Sequence, residues 1–146
     1  MKEIVLKVKR TMRYLFYRNL NINEQIEVSK QLTDINLLSE YWKMSKADRQ
    51  HSYEVFSRTK IMSDNRELLL LSLLHDIGKG KIHAGLFFRV FSDLGLIKNY
   101  KSKIYINHEM IGLQILKDIN ANENIIEYYN NNLLNQKNIV LDKTDY

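Results

Sequence analysis

The chain contains no proline and only five glycines in 146 residues. Folds built from many short strands turn often, and their turns draw on these two residues for backbone angles that others resist. Long helices are the better match, and the expected fold class is all-α. At this length one domain is the default, and a domain of about 150 residues buries roughly 70% of the surface its unfolded chain exposes. Apolar residues form 45% of the chain and charged residues 27%, a balance that suits a packed core rather than a disordered segment. The absence of cysteine excludes disulfides, thiolate metal sites and a cysteine nucleophile.

Hydrophobic spacing and capping residues divide the chain into seven to nine expected helices. The first, over about 1–19, carries Ile4, Val5, Val8, Met12, Leu15 and Phe16 at helical spacing. Asn21 or Asn23 caps a second with Ile26, Val28 and Leu32, and Thr33 or Asp34 caps a third with Leu37, Leu38, Tyr41 and Trp42. A fourth starts near Ser45, with Asp48 placed as in a capping box, and runs to about Lys60. Asp64 caps a fifth that ends at Gly78 and Gly80. A sixth covers 82–97, where Leu86, Phe87, Phe88 and Phe91 read as packing residues, with the wall of a base pocket as the alternative. A seventh follows over 107–119, an eighth over about 123–130, and a ninth starts near Gln136, with Asn130-Asn131-Asn132 as a loop. No repeat or linker interrupts the chain. Residues 1–146 therefore read as one domain, with the helices of 1–44 packing on a core formed by 45–146.

The net charge is +5 and is unevenly placed. Residues 1–20 hold Lys2, Lys7, Lys9, Arg10, Arg13 and Arg18 against Glu3, and residues 79–103 hold Lys79, Lys81, Arg89, Lys98, Lys101 and Lys103 against Asp93. Basic patches of this kind attract phosphate-bearing partners, nucleotides or nucleic acid, although they also serve as plain solvated helix faces. The basic residues of 1–20 break up the start of the chain, so no export signal is expected there, and the longest apolar run, Leu68 to Leu71, is far short of the roughly 20 residues of a membrane span. No membrane partner is expected, and a cytoplasmic location is the default.

Three stretches carry groups suited to chemistry: Asp48-Arg49-Gln50-His51-Ser52-Tyr53-Glu54-Val55, then Leu73-Leu74-His75-Asp76-Ile77-Gly78-Lys79-Gly80, then Tyr105-Ile106-Asn107-His108-Glu109-Met110-Ile111-Gly112. His75 and Asp76 directly follow the apolar segment that runs from Leu68 to Leu74. A polar pair in such a place needs partners, because a buried unpaired charge costs several kcal/mol. A divalent cation would satisfy both side chains, and imidazole with carboxylate suits Zn, Mn, Fe, Co or Ni. Adjacent helical residues project about 100° apart, so both reach one ion only where the helix is ending, and Gly78 marks such an end. His51 lies on a helix long enough to pack alongside. His83 has no ligand-like context and reads as structural.

His51, the pentapeptide His75-Asp76-Ile77-Gly78-Lys79 and a distal aspartate together resemble the HD superfamily of metal-dependent phosphohydrolases, most closely its HDIG branch, over roughly residues 45–146. Residues 48–55 are similar to that branch's first ligand helix, and Asn107 to Leu116 is similar to its His-x-x-x-Gly-x-x-Ile-Leu helix. The resemblance implies a helical bundle and a hydrolase of phosphomonoesters or phosphodiesters, with a nucleotide as the expected substrate. It implies His51, His75, Asp76 and Asp145 as ligands of one divalent metal ion (Mn, Fe, Zn, Ni, Co or Mg), with Asp142 as the fallback for Asp145. Asp76 would also orient water, Lys79 would offset phosphate charge, and His108 would contact phosphate or donate a proton. Asn107, Lys81 and Arg58 are weaker pocket candidates. Members with two metals carry a His-His pair where this chain has Tyr128-Tyr129, which removes support for a second ion. The missing Gly-Tyr-Pro signature argues against the cyclic-dinucleotide phosphodiesterases. A ligand-binding module without turnover is the alternative, and a helical nucleic-acid binder ranks last.

Overall fold

A computed structural model describes residues 16–81 and 107–146, together with Val5, Val8 and Met12. Among these residues there are seven α-helices and no strand, so the fold is all-α as expected. In chain order the helices are α1 (Ile22–Gln31), α2 (Ile35–Lys43), α3 (Lys46–Met62), α4 (Arg66–Leu74), α5 (His108–Asp118), α6 (Glu123–Tyr129) and α7 (Ile139–Thr144). A 3-10 turn, Ile77–Lys81, follows α4, and a π-helical turn, Asn130–Asn135, follows α6. The expected sixth helix over 82–97, His83 and most of the first helix lie outside the described residues. So do most of the basic residues of 1–20 and 79–103. Val5, Val8 and Met12 are helical, and these three and Phe16 are exposed.

Short polar side chains do the capping in a chain without proline. Asn21 caps α1 in a reciprocal box with Glu24, Asp34 caps α2, and Ser45 caps α3 by accepting from the Asp48 amide. The cap of α4 is Asn65 rather than the expected Asp64, because the Asn65 side chain accepts from Leu68 N. Asn120 adopts φ 51° after α5. The Ala121 amide there donates to Leu116 O and the Asn120 amide to Lys117 O, the paired bonds of a Schellman ending. Asn130, Asn131 and Asn132 are not the expected loop. They continue α6 as a π turn anchored by buried Leu133, and Asn132 Nδ2 donates to Tyr128 O.

The core lies around α4. Leu68, Leu70, Leu71, Ser72, Leu73 and Leu74 are all buried, so this helix is enclosed on nearly every side. Each fully buried leucine contributes roughly 1.5–3 kcal/mol. Helix α3 lies along α4 after the short connection 63–65 and buries Asp48, Ser52, Val55, Phe56 and Thr59, one face at helical spacing. Helix α7 packs on α3, α6 on α4, and α5 on the 3-10 turn. The ends of α4 and α7, the middle of α3 and the start of α5 meet at one place through the contacts described next.

Candidate metal centre

His75 is the C-cap of α4, so the α-helix ends just before the His75-Asp76 pair. This is four residues earlier than the glycine punctuation suggests, and the tighter 3-10 turn fills the interval. The change of helix type turns both side chains, buried at 3% and 2% exposure, toward one region. His75 Nδ1 lies 2.8 Å from Ser72 O. A carbonyl only accepts, so Nδ1 carries a proton and donates. His75 Nε2 is buried with no hydrogen-bond partner. It faces Asp76 Oδ2 at 3.6 Å and Asp145 Oδ1 at 3.8 Å. In the neutral ring that atom is a lone pair aimed at two carboxylates, an arrangement a cation resolves.

His51 comes from the middle of α3, and its Nε2 lies 2.9 Å from Asp145 Oδ1. The His51 and His75 rings meet edge to face at 5.7 Å between centroids. His51, His75 and Asp76 each offer a ligand atom, all within 4.8 Å of one another. Asp145 Oδ1 lies 2.9 Å from His51 Nε2 and 3.8 Å from His75 Nε2, whereas Asp142 is exposed and lies 4.0 Å from Lys137 Nζ. The three donors of His51, His75 and Asp76, two imidazoles and one carboxylate, suit a divalent transition metal. Donation from the far ring nitrogen to a backbone carbonyl, seen at His75, is how metal-binding histidines are commonly oriented. The residues present therefore fit a metal ion.

The other expected site residues fall as follows. Lys79 Nζ lies 2.8 Å from Asp76 Oδ2, and His108 Nε2 lies 3.0 Å from Asp76 Oδ1. Asp76 thus receives a cationic and an imidazole donor on its two oxygens. Asn107 is the N-cap residue of α5, Lys81 lies on the surface 4.0 Å from Asp118, and Arg58 sits against the turn after α7. Tyr129 is buried and its hydroxyl donates to His75 O at 3.3 Å. Tyr128 lines a small cavity together with Glu67, Leu71, Leu74 and Ile125. Lys137, which no sequence pattern marked, lies 2.7 Å from Asp145 Oδ2.

Burial pushes His51 below its ordinary value of 6.5, against the opposing hydrogen bond of Asp145. Burial also works to raise Asp76, but Lys79, His75 and His108 outweigh it and hold the carboxyl well below 3.8. Burial again opposes, and the hydrogen bond from His51 with the His75 ring overrides it, at Asp145, whose carboxyl also lies well below the usual range. All three folded values are depressed, so their linkage has one sign. Where the unfolded chain takes up a proton and the folded site does not, stability falls. The His51 contribution is present above pH 6.5 and lost as pH falls below it. The two aspartate contributions are present above 3.8 and lost as pH falls further. Chelator-treated protein is therefore expected to melt at a lower temperature at pH 5 than at pH 7.5, and lower again at pH 3. A melting temperature that is flat or rises on acidification contradicts this account.

Residues 49–144 match the family model described as HD domain, a span covering more than half of the chain. His51, His75, Asp76 and His108 fall within the match, and Asp145 lies one residue beyond it. No curated protein and no solved structure matches the chain. Among the described residues no helix is long and apolar enough to cross a membrane.

Proposed function

The chain belongs to the HD domain family, and from that premise we propose that it is a metal-dependent phosphohydrolase of phosphomonoesters or phosphodiesters, with a nucleotide as the substrate class. The observation that carries the reading is the unpartnered, buried Nε2 of His75 facing two carboxylates. In this reading His51, His75, Asp76 and Asp145 hold one divalent ion. When bound, the ion supplies a Lewis acid that polarises the phosphorus–oxygen bond and lowers the pKa of water beside it.

The chain's own groups do the rest. Asp76 orients the attacking water by accepting a hydrogen bond from it. Lys79, held on Asp76 at the edge of the buried cluster, places a positive charge where phosphate oxygens gather negative charge. His108, bonded to the same carboxylate and partly exposed, donates a proton toward the leaving oxygen. The pentapeptide His75 to Lys79 supports membership of the HDIG branch, and the single domain 1–146 remains part of the proposal.

Tyr129 favours one further reading. It stands where two-metal members carry a histidine, and its hydroxyl is spent on a backbone carbonyl. A binding module without turnover is consistent with that loss. Elemental mass spectrometry on untagged protein, followed by a phosphate-release screen of nucleotides, separates the readings. About one transition metal per chain with metal-dependent turnover supports the hydrolase. Saturable nucleotide binding with no turnover over Mn, Co, Ni, Zn, Fe and Mg selects the binding module.

A further inference from the structure

We propose that Arg58 and Lys137 are positioning residues that together hold Asp145 against the two histidines, so that closure of the metal site depends on them. The inference rests on the metal-site reading above. Asp145 is poorly secured by its own helix. Helix α7 spans only Ile139–Thr144, and Asp145 is its C-cap with a non-helical backbone. Helices this short have little intrinsic stability. Contacts from outside therefore decide where the carboxylate sits.

Arg58 supplies the first of them. Its Nη1 donates to Thr144 O and to Tyr146 O, each at 3.0 Å, so one nitrogen grips the carbonyls on both sides of Asp145. The guanidinium stacks 4.0 Å from the centroid of the Tyr146 ring. Glu54, one turn earlier on α3, accepts from Nη2 at 3.3 Å and sets the plane of the group. Beneath it, the buried Thr59 and Thr144 hydroxyls meet at 2.9 Å. Lys137 supplies the second contact. Its Nζ takes Asp145 Oδ2 at 2.7 Å, which leaves Oδ1 for His51 and His75. His51 and Arg58 are seven residues apart, two helical turns, and so share a face of α3. The helix that carries one ligand thereby fixes another that lies 94 positions away in sequence.

The two contacts differ in kind. A guanidinium is a planar fork that can bridge two acceptors while stacking on a ring, and lysine is a single point charge. Arg58→Lys is therefore expected to restore only part of what Arg58→Ala removes. Lys137→Met keeps the aliphatic stem at a partly exposed position and removes the charge alone.

The test is Mn2+ affinity of the full chain by titration calorimetry. It uses wild type, Arg58→Ala, Arg58→Lys, Lys137→Met, Asp145→Ala, and Asp145→Ala combined with Arg58→Ala or with Lys137→Met. Partners outside the ligand shell typically govern 10–100-fold in metal affinity, so Arg58→Ala and Lys137→Met should each weaken Mn2+ about tenfold or more. Residues that act only through Asp145 should add nothing once it is gone, so each double variant should match Asp145→Ala alone. Wild-type affinity in both single variants, with Asp145→Ala impaired, overturns the inference and leaves the metal site standing. The same loss in the Asp145→Ala background also overturns it, because the residues then act through the general fold. No Mn2+ uptake by wild type overturns the metal-site reading, and the inference falls with it.

Discussion

Asp76→Asn is expected to abolish metal uptake and to lower metal-dependent phosphate release by at least about 100-fold, since outer partners alone govern 10–100-fold and Asp76 is one of the proposed ligands themselves. The change keeps the shape of a fully enclosed side chain. One amide oxygen can still accept from Lys79 or His108, which lie 2.8 Å and 3.0 Å from the two carboxylate oxygens. What disappears is the negative charge that the surrounding cationic and imidazole groups hold ionised. The amide nitrogen would also be a donor facing either the Lys79 ammonium, which has no acceptor, or the His108 nitrogen that donates to Asp76. The fold should survive because the substitution opens no cavity in the leucine core around α4. A thermal readout separates this from general damage. A ligand present at 100 times its dissociation constant stabilises a folded protein by about 2.7 kcal/mol. Wild type should gain that increment on adding Mn2+, and Asp76→Asn should melt at one temperature with or without it. His75→Ala should likewise lose the increment. Retained turnover in either variant would sink the site assignment.

The parts of this site that could be read from sequence are those set by local pattern. A histidine and an aspartate following a run of leucines had to be either partnered or neutralised, and the structure places both in the core. The caps at Asn21, Asp34 and Ser45 follow from short polar side chains ahead of apolar periodicity. Residues 63–65 are all polar and all able to cap, so the choice of Asn65 depends on the path of the connection, which pattern does not contain. The π turn at Asn130–Asn135 was illegible for a similar reason. Asparagine suits a loop on its own, and it is the burial of Leu133 that keeps the chain helical there. The meeting of His51 with Asp145 is a tertiary event across most of the chain. Resemblance suggested it, and spacing could not. Lys137 had no signal at all, since one lysine beside an asparagine-rich turn looks like any solvated cation.

Gly78→Ala is expected to destabilise the protein by about 3 kcal/mol or more, at the upper end of what overpacking costs. In the sequence this glycine reads as a helix stop. The structure gives it a different duty. A methyl group at Gly78 would fall on the backbone carbonyl oxygen of His108 and lie 2.8 Å from the amide nitrogen of Gly112. Both obstacles are main chain, so no rotamer change relieves them. The 3-10 turn and α5 would have to separate, and Asp76 directly precedes the turn while His108 opens α5. Gly80 is the natural control. A methyl there meets Lys43 O at 3.4 Å, a contact that a small shift can absorb. Urea unfolding should therefore show a midpoint for Gly78→Ala lower by about 1 M or more, given slopes of 1–3 kcal/mol/M, with Gly80→Ala near wild type. Equal midpoints for the two variants would mean that close approach to α5 is not what requires glycine at 78. If the midpoint falls as expected, Mn2+ affinity should fall with it, because the separation that relieves the clash draws His108 away from Asp76 and leaves that carboxylate, a ligand in the proposed site, without one of its two donors.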